Sequence, residues 1–196
     1  MCKKIILASK SKVRKEILEK NNITCDVHPS NVDEDAVKTS LEKQNASPEV
    51  VSKNLAELKS NKVSAKFPDS YVIGADSVID LKGKVVSKPE NRDEALKILK
   101  SLNGETHHLI SSVCISRKGS MIWNYTDKAA LTMKKMEDSE LKEYLSKIND
   151  EALYSYNVYQ IEGLGRSLFS KIEGNVNTIM GIPVERIKEY LNQQND

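Results

Sequence analysis

The sequence predicts an α/β fold built on a mixed sheet. Short apolar runs alternate with segments of helical periodicity. Serine, proline and asparagine stand where those helices would open. In the middle of the chain, strand-like stretches follow one another with no helix between them. Parallel neighbours need a crossover, so these stretches add antiparallel neighbours to the sheet.

Lys4–Ala8 is a short apolar run and reads as the first strand. Ser9 and Ser11 then precede Val13, Ile17 and Leu18, which makes a strand, a serine turn and a helix N-terminus. A second strand is expected at Thr24–His28, and Pro48 opens a helix with Val50, Val51, Leu55 and Leu58 on one face. Tyr71–Ile79 reads as a buried strand interrupted by Gly74 and Asp76, and Asn91–Leu102 as a helix. Strand-like stretches follow at His107–Ser116, Ser120–Tyr125 and Ala129–Met133. Asp138–Ile148 is amphipathic, and Pro183 starts a last helix through Ile187 and Leu191.

The 196 residues suit one domain, 1–196, or two lobes around a shared core. No apolar run approaches the ~18–20 residues of a membrane span. The basic and apolar start is too short for a signal peptide, so the cytoplasm is expected, with no membrane partner. A net charge of +2 gives no argument for nucleic acid. Cys2, Cys25 and Cys114 have neither metal nor redox spacing and read as reduced thiols. Of the 30 basic residues only five are Arg, the better fork for phosphate.

Several segments are candidates for chemistry. Ser9, Ser11, Arg14 and Lys15 surround an expected helix N-terminus, where hydroxyls and unpaired N–H groups favour an anion. The plainer reading is a helix capped by Ser11. Asp76 lies inside an apolar strand, where a carboxylate is expensive unless it is paired or holds a metal. Val32-Asp33-Glu34-Asp35 offers hard oxygen ligands of the kind Mg²⁺ takes, or a solvated acidic loop. Lys59 and Lys88 sit in ordered contexts, though the chain has 25 lysines. His107 and His108 are adjacent in a strand, point to opposite faces and cannot easily share a metal. Phosphate chemistry with a divalent metal is the class these residues favour.

In order, these segments resemble the Maf family of nucleoside triphosphate pyrophosphatases. The family's opening motif is matched by Leu7, Ala8, Ser9, Ser11, Arg14 and Lys15, and its Val-Asp-Glu by Val32-Asp33-Glu34. Leu55, Ala56 and Lys59, Gly74-Ala75-Asp76, and Lys88-Pro89 match the next three motifs. Asn103-Gly104 with His107, Glu162-Gly163, and Asn177 through Pro183 complete the series. The resemblance implies a mixed sheet in two lobes around a nucleotide cleft, as in inosine triphosphatase-like folds. It implies hydrolysis of a nucleoside triphosphate to monophosphate and diphosphate with Mg²⁺ or Mn²⁺. It implies Asp76 as general base, Glu34 with Asp76 at the metal, and Ser9, Ser11, Arg14, Lys59 and Lys88 toward the phosphates. A homodimer is compatible with the resemblance, but no sequence feature argues for it.

The resemblance places base selection at Val13, Ser77 and Glu162. Glu162 before Gly163 resembles the subgroup acting on 7-methyl-GTP, whereas Gln marks the dTTP/UTP subgroup. A carboxylate accepts from guanine N1–H and N2–H₂, which an amide cannot do twice. That subgroup has Trp where Val13 stands and Gln where Ser77 stands, so a pyrimidine triphosphate stays open as substrate. The family's Lys-Ala-Gly-x-Tyr/Phe reads Ser155-Tyr156-Asn157-Val158-Tyr159 here, losing a basic residue and a glycine. This departure leaves a catalytically impaired nucleotide-binding regulator as a further reading.

Overall fold

A computed structural model describes residues 4–150, 153 and 157–194. Cys2, Tyr154, Ser155 and Tyr156 lie outside the described residues. The elements are β1 (Ile5–Leu7), α1 (Lys12–Lys20), β2 (Asp26–Val27), α2 (Glu34–Lys43), α3 (Pro48–Ser64), β3 (Tyr71–Leu81) and β4 (Lys84–Val86). There follow α4 (Arg92–Leu102), β5 (Thr106–Arg117), β6 (Ser120–Met133), α5 (Asp138–Ser146), a 3₁₀ turn (Leu164–Leu168), β7 (Phe169–Glu173), α6 (Val176–Ile179) and α7 (Val184–Gln193). The strands form one seven-stranded sheet in the order β2-β1-β3-β5-β6-β7, with β4 also on β3. The pairs β1–β2 and β1–β3 are parallel, whereas β3–β4 and β6–β7 are antiparallel. The sheet is therefore mixed, as the uninterrupted middle strands predict.

The chain divides into two compact units. The first holds Met1–Val78, Ile110–Lys128 and Asn175–Asp196, and the second holds Ile79–Leu109 and Ala129–Gly174. In the first unit β1 and β3 send alternate side chains to opposite faces. Leu7, Ile73 and Ala75 meet Ile17 and Leu18 of α1 and Val184, Ile187 and Leu191 of α7. Ile6, Ala8 and Val72 meet Val63 of α3 on the other face. The second unit buries Leu99 and Leu102 of α4, Leu131 and Met133 of β6, and Leu141 and Leu145 of α5. Arg92 ties α4 to the end of α5 by donating to the Leu145 carbonyl at 2.8 Å and the Ile148 carbonyl at 2.9 Å.

Four sequence expectations change. The acidic stretch after β2 opens a helix instead of staying a loop: Asp33 caps α2 by accepting from the Ala36 N–H at 3.0 Å. Helix α2 has no fully buried residue, so it lacks the strong apolar stripe by which it could be recognised. Ser120–Met133 is one strand, because Asn124, Thr126 and Asp127 are pleated residues of β6 and not a break. The second strand shortens to Asp26–Val27. Val50 and Leu58 are exposed, and the buried face of α3 is Val51, Ser52, Leu55, Ala56, Lys59, Ser60 and Val63.

That last face sets the position of the site. A Cβ on Gly74 would stand 2.2 Å from the Ala56 carbonyl oxygen and 2.7 Å from the Ser60 nitrogen. No side chain fits there, so small residues on α3 and a glycine on β3 let helix and strand approach closely. The turn of α3 carrying Lys59 is thereby laid against the residues of β3 next to Asp76.

Candidate active site

The first unit concentrates the charged candidates. Asp76 projects from the middle of β3 on the Gly74 side of the pleat and is 4% exposed. Lys59 is 5% exposed, and its Nζ donates to Asp76 Oδ1 at 2.7 Å. The same Nζ lies 2.8 Å from Glu34 Oε1, on the first residue of α2. One ammonium thus joins two carboxylates, one buried and one half-exposed. Asp76 Oδ2 is buried and has no hydrogen-bond partner among the described residues. A carboxylate oxygen left bare in an apolar strand is costly, and a water, metal or substrate group is the usual remedy.

Arg14 is held from four sides. Its Nε donates to the Gly181 carbonyl at 2.9 Å, and Nη1 donates to the Ala75 carbonyl at 3.0 Å and to Ser9 Oγ at 3.3 Å. Nη2 donates to Ser77 Oγ at 3.2 Å. Burial pushes the guanidinium below its ordinary value, and the Asp76 and Glu34 carboxylates oppose that shift. Arg14 therefore brings a fixed positive charge beside the carboxylates while locking α1 to β3 and to the Gly181 turn. Gly181 has φ 98°, and a Cβ there would approach Ser77 Oγ to 3.0 Å, so the turn needs glycine twice over.

The other predicted residues fall into two sets. Ser9 and Ser11 flank the start of α1, where Ser11 Oγ accepts from the Arg14 N–H at 3.3 Å as its N-cap. Val13 is partly buried against the core, and Ser77 Oγ is 2.8 Å from Ser111 Oγ. Ser111 donates to the Thr178 carbonyl at 2.7 Å, and the Thr178 hydroxyl bonds Asp127. In the sequence Ser111, Thr178 and Asp127 look like ordinary polar residues, and no local signal marks them. Lys88 and Glu162 belong to the second unit, Lys88 just after β4 and Glu162 exposed in the turn before the 3₁₀ segment.

Metal fit rests on Asp76 and Glu34. Among the described residues no group of three or more His, Cys, Asp or Glu is gathered for a metal. Two carboxylates, one with a bare oxygen, match Mg²⁺, which takes one or two protein carboxylates and completes its shell with phosphate oxygens and water. A closed structural site of the zinc kind does not fit. Among the described residues no helix is long and apolar enough to cross a membrane.

The chain is 69% identical over 191 residues to a nucleoside triphosphate pyrophosphatase of Pelagibacter ubique, covering 97% of this chain and 98% of that protein. It is 40% identical over 184 residues to a 7-methyl-GTP pyrophosphatase of Rhizobium etli, covering 94% and 92%. Among solved structures, the Ham1 protein of Staphylococcus aureus aligns with a TM-score of 0.41 at 16% identity, over 69% of this chain and 73% of that one. Residues 4–194 match the family described as Maf-like protein, and the chain belongs to that family.

Proposed function

We propose that this protein hydrolyses a nucleoside triphosphate to a nucleoside monophosphate and diphosphate. The observation that carries the reading is the buried Asp76 carboxylate, paired through Oδ1 with Lys59 while Oδ2 has no hydrogen-bond partner among the described residues. Lys59 orients the carboxylate, and Oδ2 is the atom available to accept a proton from the attacking water. The oxygen of that water bonds to the α-phosphorus, the α–β anhydride P–O bond breaks, and its electron pair leaves with diphosphate. Lys59 and Arg14 put positive charge beside carboxylates that would otherwise repel the triphosphate. Ser9 and Ser11 at the start of α1, and Lys88, serve the phosphates.

Asp76 and Glu34 would hold the divalent metal, Mg²⁺ or Mn²⁺. When bound, it supplies charge neutralisation for the phosphates and acidifies a coordinated water. Glu162 reads the base, favouring a modified purine such as 7-methyl-GTP over dTTP or UTP. Val13 and Ser77 occupy the other selecting positions, but one packs on the core and the other is taken up by Arg14 and Ser111. The protein acts in the cytoplasm, and a homodimer accords with its family.

The test is diphosphate release with Mg²⁺ from 7-methyl-GTP, dTTP, UTP and CTP, with Asp76→Asn as control. Release from 7-methyl-GTP, reduced about 10²–10⁴-fold in kcat by the substitution, is expected. Release of single phosphate, or equal rates with Asp76→Asn, would sink the reading. A preference for dTTP or UTP would keep the reaction and overturn the base assignment.

A further inference from the structure

The second unit brings together two residues of the family motifs that the proposed reaction does not use, His107 and Tyr159. His107 opens the buried part of β5, and Tyr159 stands in the stretch that departs from the family pattern. His107 Nε2 and Tyr159 Oη are 2.6 Å apart, and Phe169 of β7 lies edge-on to the Tyr159 ring with centroids 4.8 Å apart. His107 is fully buried and Tyr159 is 6% exposed. Tyr144 of α5 donates its hydroxyl to the Val158 carbonyl at 3.1 Å, fixing the neighbouring peptide.

From this anchor the chain makes a short excursion and returns. Ile161–Gly163 form a turn in which the Gly163 N–H donates to the Gln160 carbonyl at 3.2 Å. The 3₁₀ turn then lies directly on the starting point. A Cβ on Gly165 would stand 2.4 Å from the Gln160 carbonyl oxygen and 2.9 Å from Tyr159 Cβ. Both ends of the excursion rest on Tyr159–Gln160, and the exposed residue in the middle of its turn is Glu162.

The His107–Tyr159 bond is not what packing alone would select. His107 Nδ1 is buried with no partner among the described residues. An aliphatic residue opposite Phe would fill the same space without an orphaned polar atom. We propose that His107 and Tyr159 are positioning residues for nucleobase selection, their hydrogen bond fixing the turn that presents Glu162. The inference rests on the reading of Glu162 as the base-selecting residue.

The experiment measures kcat and KM of the full-length protein for 7-methyl-GTP and UTP, with Glu162→Gln as reference. Tyr159→Phe keeps the ring and removes the hydroxyl. It is expected to raise KM for 7-methyl-GTP about fivefold, hold kcat within about twofold and shrink the substrate ratio. His107→Gln can still reach the Tyr159 hydroxyl and should retain the ratio, whereas His107→Leu should lose it. Faster hydrogen exchange at amides 160–166 in Tyr159→Phe, with other amides unmoved, would be the accompanying signature. If Glu162→Gln shifts the ratio and Tyr159→Phe does not, the positioning role is overturned and the reading of Glu162 stands. If Glu162→Gln leaves the ratio unchanged, the reading of Glu162 fails and the proposal with it. Equal behaviour of the two His107 variants also overturns the proposal, and that comparison holds even if Tyr159→Phe folds poorly.

Discussion

The two units secure their candidate site residues by opposite means. In the first, the Asp76 carboxylate is held by charge: Lys59 joins it to Glu34, and Arg14 stands near by. Both partners of the inner pair are almost fully buried and sit on long elements, β3 and α3. In the second, the Glu162 turn is held by a neutral aromatic anchor of His107, Tyr159 and Phe169. Burial pushes His107 down to about 4 and the Tyr159 hydroxyl up, so both stay uncharged at neutral pH. A carboxylate proposed to react needs fixed geometry, which a buried ion pair on rigid elements supplies. A turn that presents a residue needs only a firm base, which apolar packing and one hydrogen bond provide.

The sharpest way to break the comparison is to remove one charge. Lys59→Met removes the cation hydrogen-bonded to buried Asp76, leaving Arg14 near by, and is expected to destabilise the fold by about 3–5 kcal/mol in urea denaturation. Lys59→Met with Asp76→Leu should recover much of that loss while remaining inactive. A double variant no more stable than Lys59→Met would mean that packing, not the ion pair, dominates there.

The neutral anchor should respond to acid. The folded-state value of His107, about 4, lies below the ordinary 6.5, so the unfolded chain binds the extra proton first as pH falls. This contribution is fully present above pH 6.5 and is lost as pH drops toward 4, by on the order of 3 kcal/mol. His107→Leu should flatten that part of a denaturation-against-pH profile. An unchanged slope between pH 6.5 and 4 would show that His107 is not buried neutral.

Gly74→Ala tests the contact beneath the charged site. Its Cβ would overlap the Ala56 carbonyl, so a loss of about 1–3 kcal/mol and a fall in diphosphate release are expected together. Unaltered activity at reduced stability would separate the α3–β3 approach from the Lys59–Asp76 geometry. Asp33→Ala removes only the cap of α2 and should cost about 1 kcal/mol or less by thermal melting. A larger effect would make α2 part of the charged region's foundation and not a peripheral carrier of Glu34.

One departure from the family pattern proves to be physically mild. Asn157 stands where the family has glycine, and its φ is 70°, in the left-handed region where asparagine is the best tolerated replacement. Its Oδ1 accepts from the Val158 N–H at 2.9 Å, so the conformation is kept by a local bond. Loss of the glycine therefore does not favour the impaired-regulator reading, and the lost basic position, Ser155, lies outside the described residues.

Alternating apolar runs, proline and serine at helix starts, and an acidic residue inside an apolar strand were enough to predict the α/β class and to single out Asp76. The reason is that burial periodicity and capping are local and written in neighbouring residues. Tertiary structure decided the rest. That Lys59 and not another of the 25 lysines faces Asp76 follows from the close approach permitted by Gly74, Ala56 and Ser60. That Arg14 ends among Ala75, Ser77 and Gly181 depends on segments up to 167 positions away in sequence. Helix α2 is not legible in the sequence because it has no buried stripe, and its Glu34 meets Asp76 only through Lys59. Such pairings rest on contacts between distant segments, and no spacing along a single chain encodes which of them will meet.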